Sequence, residues 1–334
     1  MVAPLVRFVD WSALQLLALT IPPADAQAPR LNEALQFLNG PDFIPEESQP
    51  AELEFNSRTH FRFPTPRRSD VAKNNSAYGR LYRTGEHWRE RPVILLLPGG
   101  RLDFFYHRCR FPSAARRCNR AGFNAATLVL PYHSERRPAR IWTACKPDYL
   151  RFAQAMAQAI AEIRALTGWL LQEGCPTVAL WGISLGGWLA GLTAGRDARL
   201  AALVLTAPGV GFACSSRDQV FWPERAIWPG IRDRWRAQRP ALQALNQTPV
   251  NLATCRPAIP KENILLVEGI HDLCVPKEAV EELWQSWGQP EVWRLPYGHA
   301  GVAGMCVPGV TARTLSWLAP KLKAPANQTP QAIG

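Results

Sequence analysis

The sequence predicts an α/β domain built on a mostly parallel, eight-stranded sheet with helices on both faces. Three observations predict it. Short apolar runs rich in β-branched and aromatic residues recur along the chain, too short for helices. Helical patterns lie between them. The runs are almost continuously apolar rather than alternating, as expected of strands covered on both sides.

Residues 1–50 read as an N-terminal helical extension, and residues 51–323 as the domain. Ala51 to Phe55 and Ala77 to Tyr82 supply two outer strands, with Arg62 to Asn75 as a polar, proline-containing connection between them. Val93 to Leu97 is a buried strand ended by Pro98-Gly99-Gly100, and Ala125 to Leu130 is another, ended by Pro131. Thr177 to Trp181, Ala202 to Thr206, Ile264 to Val267 and Val292 to Leu295 complete the eight. Before the fifth strand, Phe152, Met156, Ile160, Ile163, Leu166 and Leu170 mark one apolar face at helical spacing, until Gly174 and Pro176 stop it. Val210 to Pro260 holds Trp222, Trp228 and Trp235 but no strand pattern, and reads as a lid inserted between strands at about 210–260. Residues 324–334 read as a flexible tail.

Composition narrows the function classes. In 334 residues, 47% are hydrophobic and 19% charged, which excludes a disordered chain or a coiled coil. The 23 glycines and 30 prolines are about one residue in six, too few for a low-complexity chain. A net charge of +11 favours an acidic substrate or an anionic membrane surface. The basic residues come in pairs (Arg67-Arg68, Arg116-Arg117, Arg136-Arg137) rather than in runs, so no nucleic-acid partner is expected. Eight scattered cysteines without a C-x-x-C pair give no metal site, and buried free thiols are the expected state.

No transmembrane span is expected. The charge-free stretch from Cys175 to Gly195 is broken by Pro176, Ser184 and Gly186-Gly187. At the N-terminus, the uncharged stretch from Trp11 to Ala24 followed by Ala24-Asp25-Ala26 has the form of a signal peptide over residues 1–26. The weak basic region before it, Arg7 followed by Asp10, favours the alternative of a helix packed on a cytoplasmic domain. Both readings stay open.

In sheets of this kind ligands bind beyond the carboxyl ends of the strands, so chemistry is sought just after each run. After Thr177 to Trp181 comes Gly182-Ile183-Ser184-Leu185-Gly186-Gly187 and then a helix, a G-x-S-x-G between strand and helix. Ser184 is therefore the candidate nucleophile. A serine hydroxyl needs a base to take its proton and a carboxylate to orient that base. Asp272 follows the strand Ile264 to Val267, and His299 follows the next strand, flanked by Gly298 and Gly301. His271 is a poor base because it adjoins Asp272 in the chain, and Asp218 is the alternative acid, within the lid. The oxyanion hole is assigned to the backbone N–H groups of Leu185 and Gly100, with Arg101 as second choice. Arg136 and Arg137, after the strand ended by Pro131, are candidates to bind an acidic substrate group, with a structural ion pair as the competing account of Arg136.

From Ala51 to Leu322 the sequence resembles the α/β-hydrolase superfamily, carried by the elbow Gly182 to Gly186 and the Asp272 and His299 loops in that order. Pro131-Tyr132, Arg136-Arg137-Pro138 and the Pro98-Gly99 opening look like the branch of the α/β-hydrolase domain-containing protein eighteen. The resemblance implies the α/β-hydrolase fold. Together, these readings lead us to expect a serine hydrolase acting on a small-molecule or lipid ester or thioester, without cofactor or metal. An acyltransferase, a peptidase and a non-catalytic basic binding module are the alternatives.

Overall fold

The computed structural model describes residue 4 and residues 8–12, 30–100, 103–138, 148–212 and 229–322. Within these, one sheet contains β1 (Glu54–Phe55), β2 (His60–Pro64), β3 (Ser76–Tyr82), β4 (Val93–Leu97), β5 (Asn124–Val129), β6 (Val178–Ile183), β7 (Leu200–Thr206), β8 (Ile264–Gly269) and β9 (Glu291–Leu295). The spatial order is β1-β2-β3-β5-β4-β6-β7-β8-β9. The pairings β1–β2, β2–β3 and β3–β5 are antiparallel, and every pairing from β5 to β9 is parallel.

The sheet has nine described strands where eight were expected. The addition is β2, most of which falls in the expected Arg62 to Asn75 connection. In β2 Phe61 and Phe63 are buried while His60, Arg62 and Pro64 are exposed, the period-two burial of a strand with one wet face. Proline at its last position is compatible with a strand end.

Eight helices matter here: α1 (Leu31–Asn39), α2 (Phe111–Arg120), α3 (Tyr149–Gln172), α4 (Leu185–Ala194), α5 (Pro229–Asn246), α6 (Lys277–Ser286), α7 (His299–Ala303) and α8 (Val310–Leu322). α3 starts where the Asp148 carboxylate accepts from the Arg151 N–H, and ends before Gly174 at φ 100°. Alternate residues of the fully buried central strands serve two cores. Val93, Leu95 and Leu97 pack with Ile160, Ile163 and Leu166 of α3 and Leu189 of α4. Ile94 and Leu96 pack with Phe111 and Ala115 of α2 and Leu318 of α8. That double coverage explains why these strands read as unbroken apolar runs.

The region expected as a lid is divided. Residues 213–228, which include Asp218, Trp222 and Trp228, lie outside the described residues, as do Arg101 and the expected tail. From Ala241 onward apolar side chains enter the core: Leu245, Val250 and Leu252 are buried. Leu252 N–H donates to the Val210 carbonyl at 2.8 Å, and the Trp188 indole donates to the Val250 carbonyl at 2.7 Å. The six described cysteines are free, with Cys118, Cys175 and Cys274 buried and Cys109 and Cys306 exposed. Among the described residues no helix is long and apolar enough to cross a membrane.

Candidate active site

Ser184 sits in the single-residue turn between β6 and α4 with φ 51° and ψ −113°, outside the normal range for a residue with a side chain. Such a conformation costs about 1–3 kcal/mol and persists only when its surroundings enforce it. Here Ser184 N–H donates to the Thr206 carbonyl at 2.9 Å, while its own carbonyl accepts from Trp188 and Gly209 N–H, both at 3.0 Å. The glycines at 182 and 186 permit the turn. A Cβ on Gly182 would overlap the Gly186 carbonyl, and one on Gly186 would overlap the Leu97 and Pro98 carbonyls.

Because β8 and β9 are neighbours, the loops after them bring Asp272 beside His299. The His299 Nδ1 lies 2.7 Å from Asp272 Oδ2, and its Nε2 lies 3.1 Å from Ser184 Oγ. Asp272 is held in turn by its other oxygen, which accepts from Cys274 and Val275 N–H at 2.7 and 2.8 Å. Burial alone would pull the His299 imidazolium down, but the Asp272 carboxylate, and Asp10 with it, hold its pKa above the usual histidine value. Ser184, His299 and Asp272 thus lie on one hydrogen-bonded line. Asp272, Cys274 and His299 also lie close enough to hold a metal ion, but two of them are already joined by the hydrogen bond to each other.

The loop after β4 faces the elbow. A Cβ at Gly99 would stand 3.4 Å from Ser184 Cβ, and one at Gly100 would stand 3.5 Å from Leu185 Cδ2. Leu185 opens α4, so its N–H is among those without an intrahelical partner. Tyr106, on the π-helical turn Tyr106–Arg110 that follows this loop, donates to the Ala303 carbonyl at 2.7 Å and so ties the loop to the His299 helix.

Arg136 requires correction. It is wholly buried and donates to both oxygens of Glu162, at 2.6 and 2.7 Å, and to the Asn74 and Val129 carbonyls. No face of it is left for a substrate. Glu162 also accepts from Thr65 and Gln158, so the pair is a fully buried polar hub joining α3 to the ends of β2 and β5. Arg136→Met should lower unfolding free energy by about 3–5 kcal/mol, because Glu162 would be left as an uncompensated buried charge. A melting curve checks this, and an unchanged midpoint with selective loss on acidic esters would restore the binding role. Arg137 differs: its side chain is 42% exposed and lies 3.3 Å from Asp103. His271 takes no part in the hydrogen-bonded line.

One site residue escaped the sequence reading. Asp10, in the stretch read as a signal peptide or packed helix, is buried against the His299 and Asp272 loops. No local pattern marks a contact spanning 289 residues.

Residues 42–215 match the family described as Alpha/beta hydrolase domain containing 18, a stretch that includes Gly100 and Ser184 and stops before Asp272 and His299. Uncharacterised proteins of two Mycobacterium tuberculosis strains are 30% identical over 68% of this chain and 54% of their own length. The chain thus spans about half the length of these curated relatives. Among solved structures, an esterase from Pyrococcus furiosus is similar with a TM-score of 0.51 at 13% identity, covering 83% of this chain and all of that one. A serine hydrolase without lid from Xanthomonas campestris is similar with a TM-score of 0.50 at 14% identity, covering 83% of this chain and 99% of that one. At such identities the likeness is one of fold.

Proposed function

Because the chain belongs to the family described as Alpha/beta hydrolase domain containing 18, we propose that it is a serine hydrolase cleaving an ester or thioester through an acyl-enzyme. The observation that carries this reading is the continuous hydrogen-bonded line from Ser184 Oγ through the His299 ring to Asp272. His299 Nε2 takes the hydroxyl proton as Ser184 Oγ attacks the acyl carbon. Asp272 holds the ring in the tautomer with Nδ1 protonated and stabilises the imidazolium that forms. The tetrahedral oxyanion receives the N–H groups of Leu185 and Gly100. Collapse passes the proton from Nε2 to the leaving alcohol or thiol, and water then repeats the sequence on the acyl-enzyme. The esterase among the similar folds supports an ester as the bond cleaved. Arg137, with its exposed side, is the candidate contact for an acidic substrate group.

A fluorophosphonate probe tests the reading. We expect one adduct per chain, mapped by mass spectrometry to Ser184. An adduct on another serine, or no adduct on a well-folded chain, would overturn it.

A further inference from the structure

The geometry points to Asp10 as a positioning residue that locks the loop carrying the acid to the loop carrying the base. Its Oδ2 accepts from the N–H of His299 at 2.5 Å and from the N–H of Leu273 at 3.2 Å. Its Oδ1 accepts from the N–H of Ala300 at 2.8 Å. One carboxylate thus bridges the residue after Asp272 and His299 itself, on loops also joined by the Asp272–His299 hydrogen bond, the His271 N–H bond to the Tyr297 carbonyl and the Ile270 N–H bond to the Leu295 carbonyl. Asp10 is 1% exposed, and no cation lies within ion-pair distance of it among the described residues. A buried carboxylate in that state is tolerated only because its oxygens are occupied by donors, and the donors here are the triad loops.

The neighbouring residue shows how close this approach is. Gly298, next to His299, has an extended backbone (φ −91°, ψ −178°) that any residue could adopt, yet a Cβ there would overlap the Asp10 carboxylate. Glycine at 298 is therefore a condition of the approach of Asp10, not of the local chain path. Cleavage after Ala26 would carry Asp10 away from these loops.

The inference rests on the hydrolase reading for its kinetic readout. His299 must keep 2.7 Å to Asp272 and 3.1 Å to Ser184, and a shift of about 1 Å costs roughly a hundredfold in rate. Asp10→Ala should therefore lower kcat on a p-nitrophenyl ester and slow fluorophosphonate labelling by about 10- to 100-fold. KM should stay within about twofold, because Asp10 is directed at the loops rather than the substrate cleft. The charged groups facing the imidazole are Asp272 and Asp10, so Asp10→Asn should also move the acid limb of kcat/KM to lower pH. Gly298→Ala, which displaces the carboxylate without altering it, should reproduce the loss. The double variant Asp10→Ala, Gly298→Ala should be no worse than either single one, since the added methyl then has nothing to displace.

Labelling of Asp10→Ala at the wild-type rate, additive losses in the double variant, or a loss that only tracks a lowered melting temperature would each overturn the proposal. The far-downfield proton resonance of His299 Nδ1 separates the two readings. If the wild type takes no label, the hydrolase reading falls. Asp10 is still upheld if that resonance disappears in folded Asp10→Ala, and overturned if it persists.

Discussion

Ser184→Ala should lower kcat on any ester the protein turns over by on the order of 10⁶-fold, while the melting temperature stays within a few degrees of wild type. The size follows from the role. Without the hydroxyl there is no acyl-enzyme, and His299 is left with no nucleophile to deprotonate except water held at no defined position; the loss corresponds to about 8 kcal/mol of transition-state stabilisation. Stability should hardly change, because the turn is enforced by the backbone bonds of residue 184 to Thr206, Trp188 and Gly209, none of which uses the hydroxyl. Alanine has the same difficulty with φ 51° as serine, so no strain is relieved. Turnover and a thermal melt on the same preparation check both halves. Retention of more than about a thousandth of the wild-type kcat would remove Ser184 from the nucleophile's role.

Asp272→Asn should cost about 10⁴-fold in kcat at nearly unchanged KM. In the wild type one Asp272 oxygen accepts from Cys274 and Val275 N–H, and the other accepts from His299 Nδ1. An asparagine at 272 satisfies the two backbone donors with its carbonyl oxygen, which turns its amide N–H₂ towards Nδ1. That hydrogen bond selects the wrong tautomer, with the proton on Nε2 facing Ser184 and no lone pair to receive the hydroxyl proton. The pH profile should move as well. The base works only when neutral, so activity rises as pH passes the His299 pKa. The Asp272 carboxylate raises that value, and its removal should bring the acid limb to lower pH even as the plateau falls. His271→Ala should be mild, since His271 lies outside the relay. A mild Asp272→Asn beside a severe Asp218→Asn would move the acid to the segment between β7 and α5.

What could be read from the chain, and what could not, divides by the range of the interaction concerned. The central strands and α3 were legible because burial on both faces forces unbroken apolar runs and a helical apolar stripe, both local patterns. The elbow was legible because a tight strand-to-helix turn demands glycines at fixed offsets from Ser184. The loops of Asp272 and His299 were legible because each follows its strand directly, and a parallel sheet gathers such loops at one edge. β2 was passed over for a reason equally local: the alternation in His60–Pro64 spans five residues beside a polar, proline-containing stretch, and its value as a strand depends on pairing with β3.

By itself the sequence determined the α/β layering, the tight strand-to-helix turn at Ser184 and the strand ends that carry Asp272 and His299, since each follows from backbone sterics or side-chain periodicity within a few residues. Only the tertiary structure decided which arginine is a core ion pair and where Asp10 goes. Arg136 and Arg137 are adjacent and chemically identical, yet one meets Glu162 in the core and the other remains 42% exposed beside Asp103. Asp10 meets its partners across some 290 positions. Charge and hydrogen bonding act through space at distances of about 3 Å, and no local pattern in the chain specifies which distant donors the fold will bring that close.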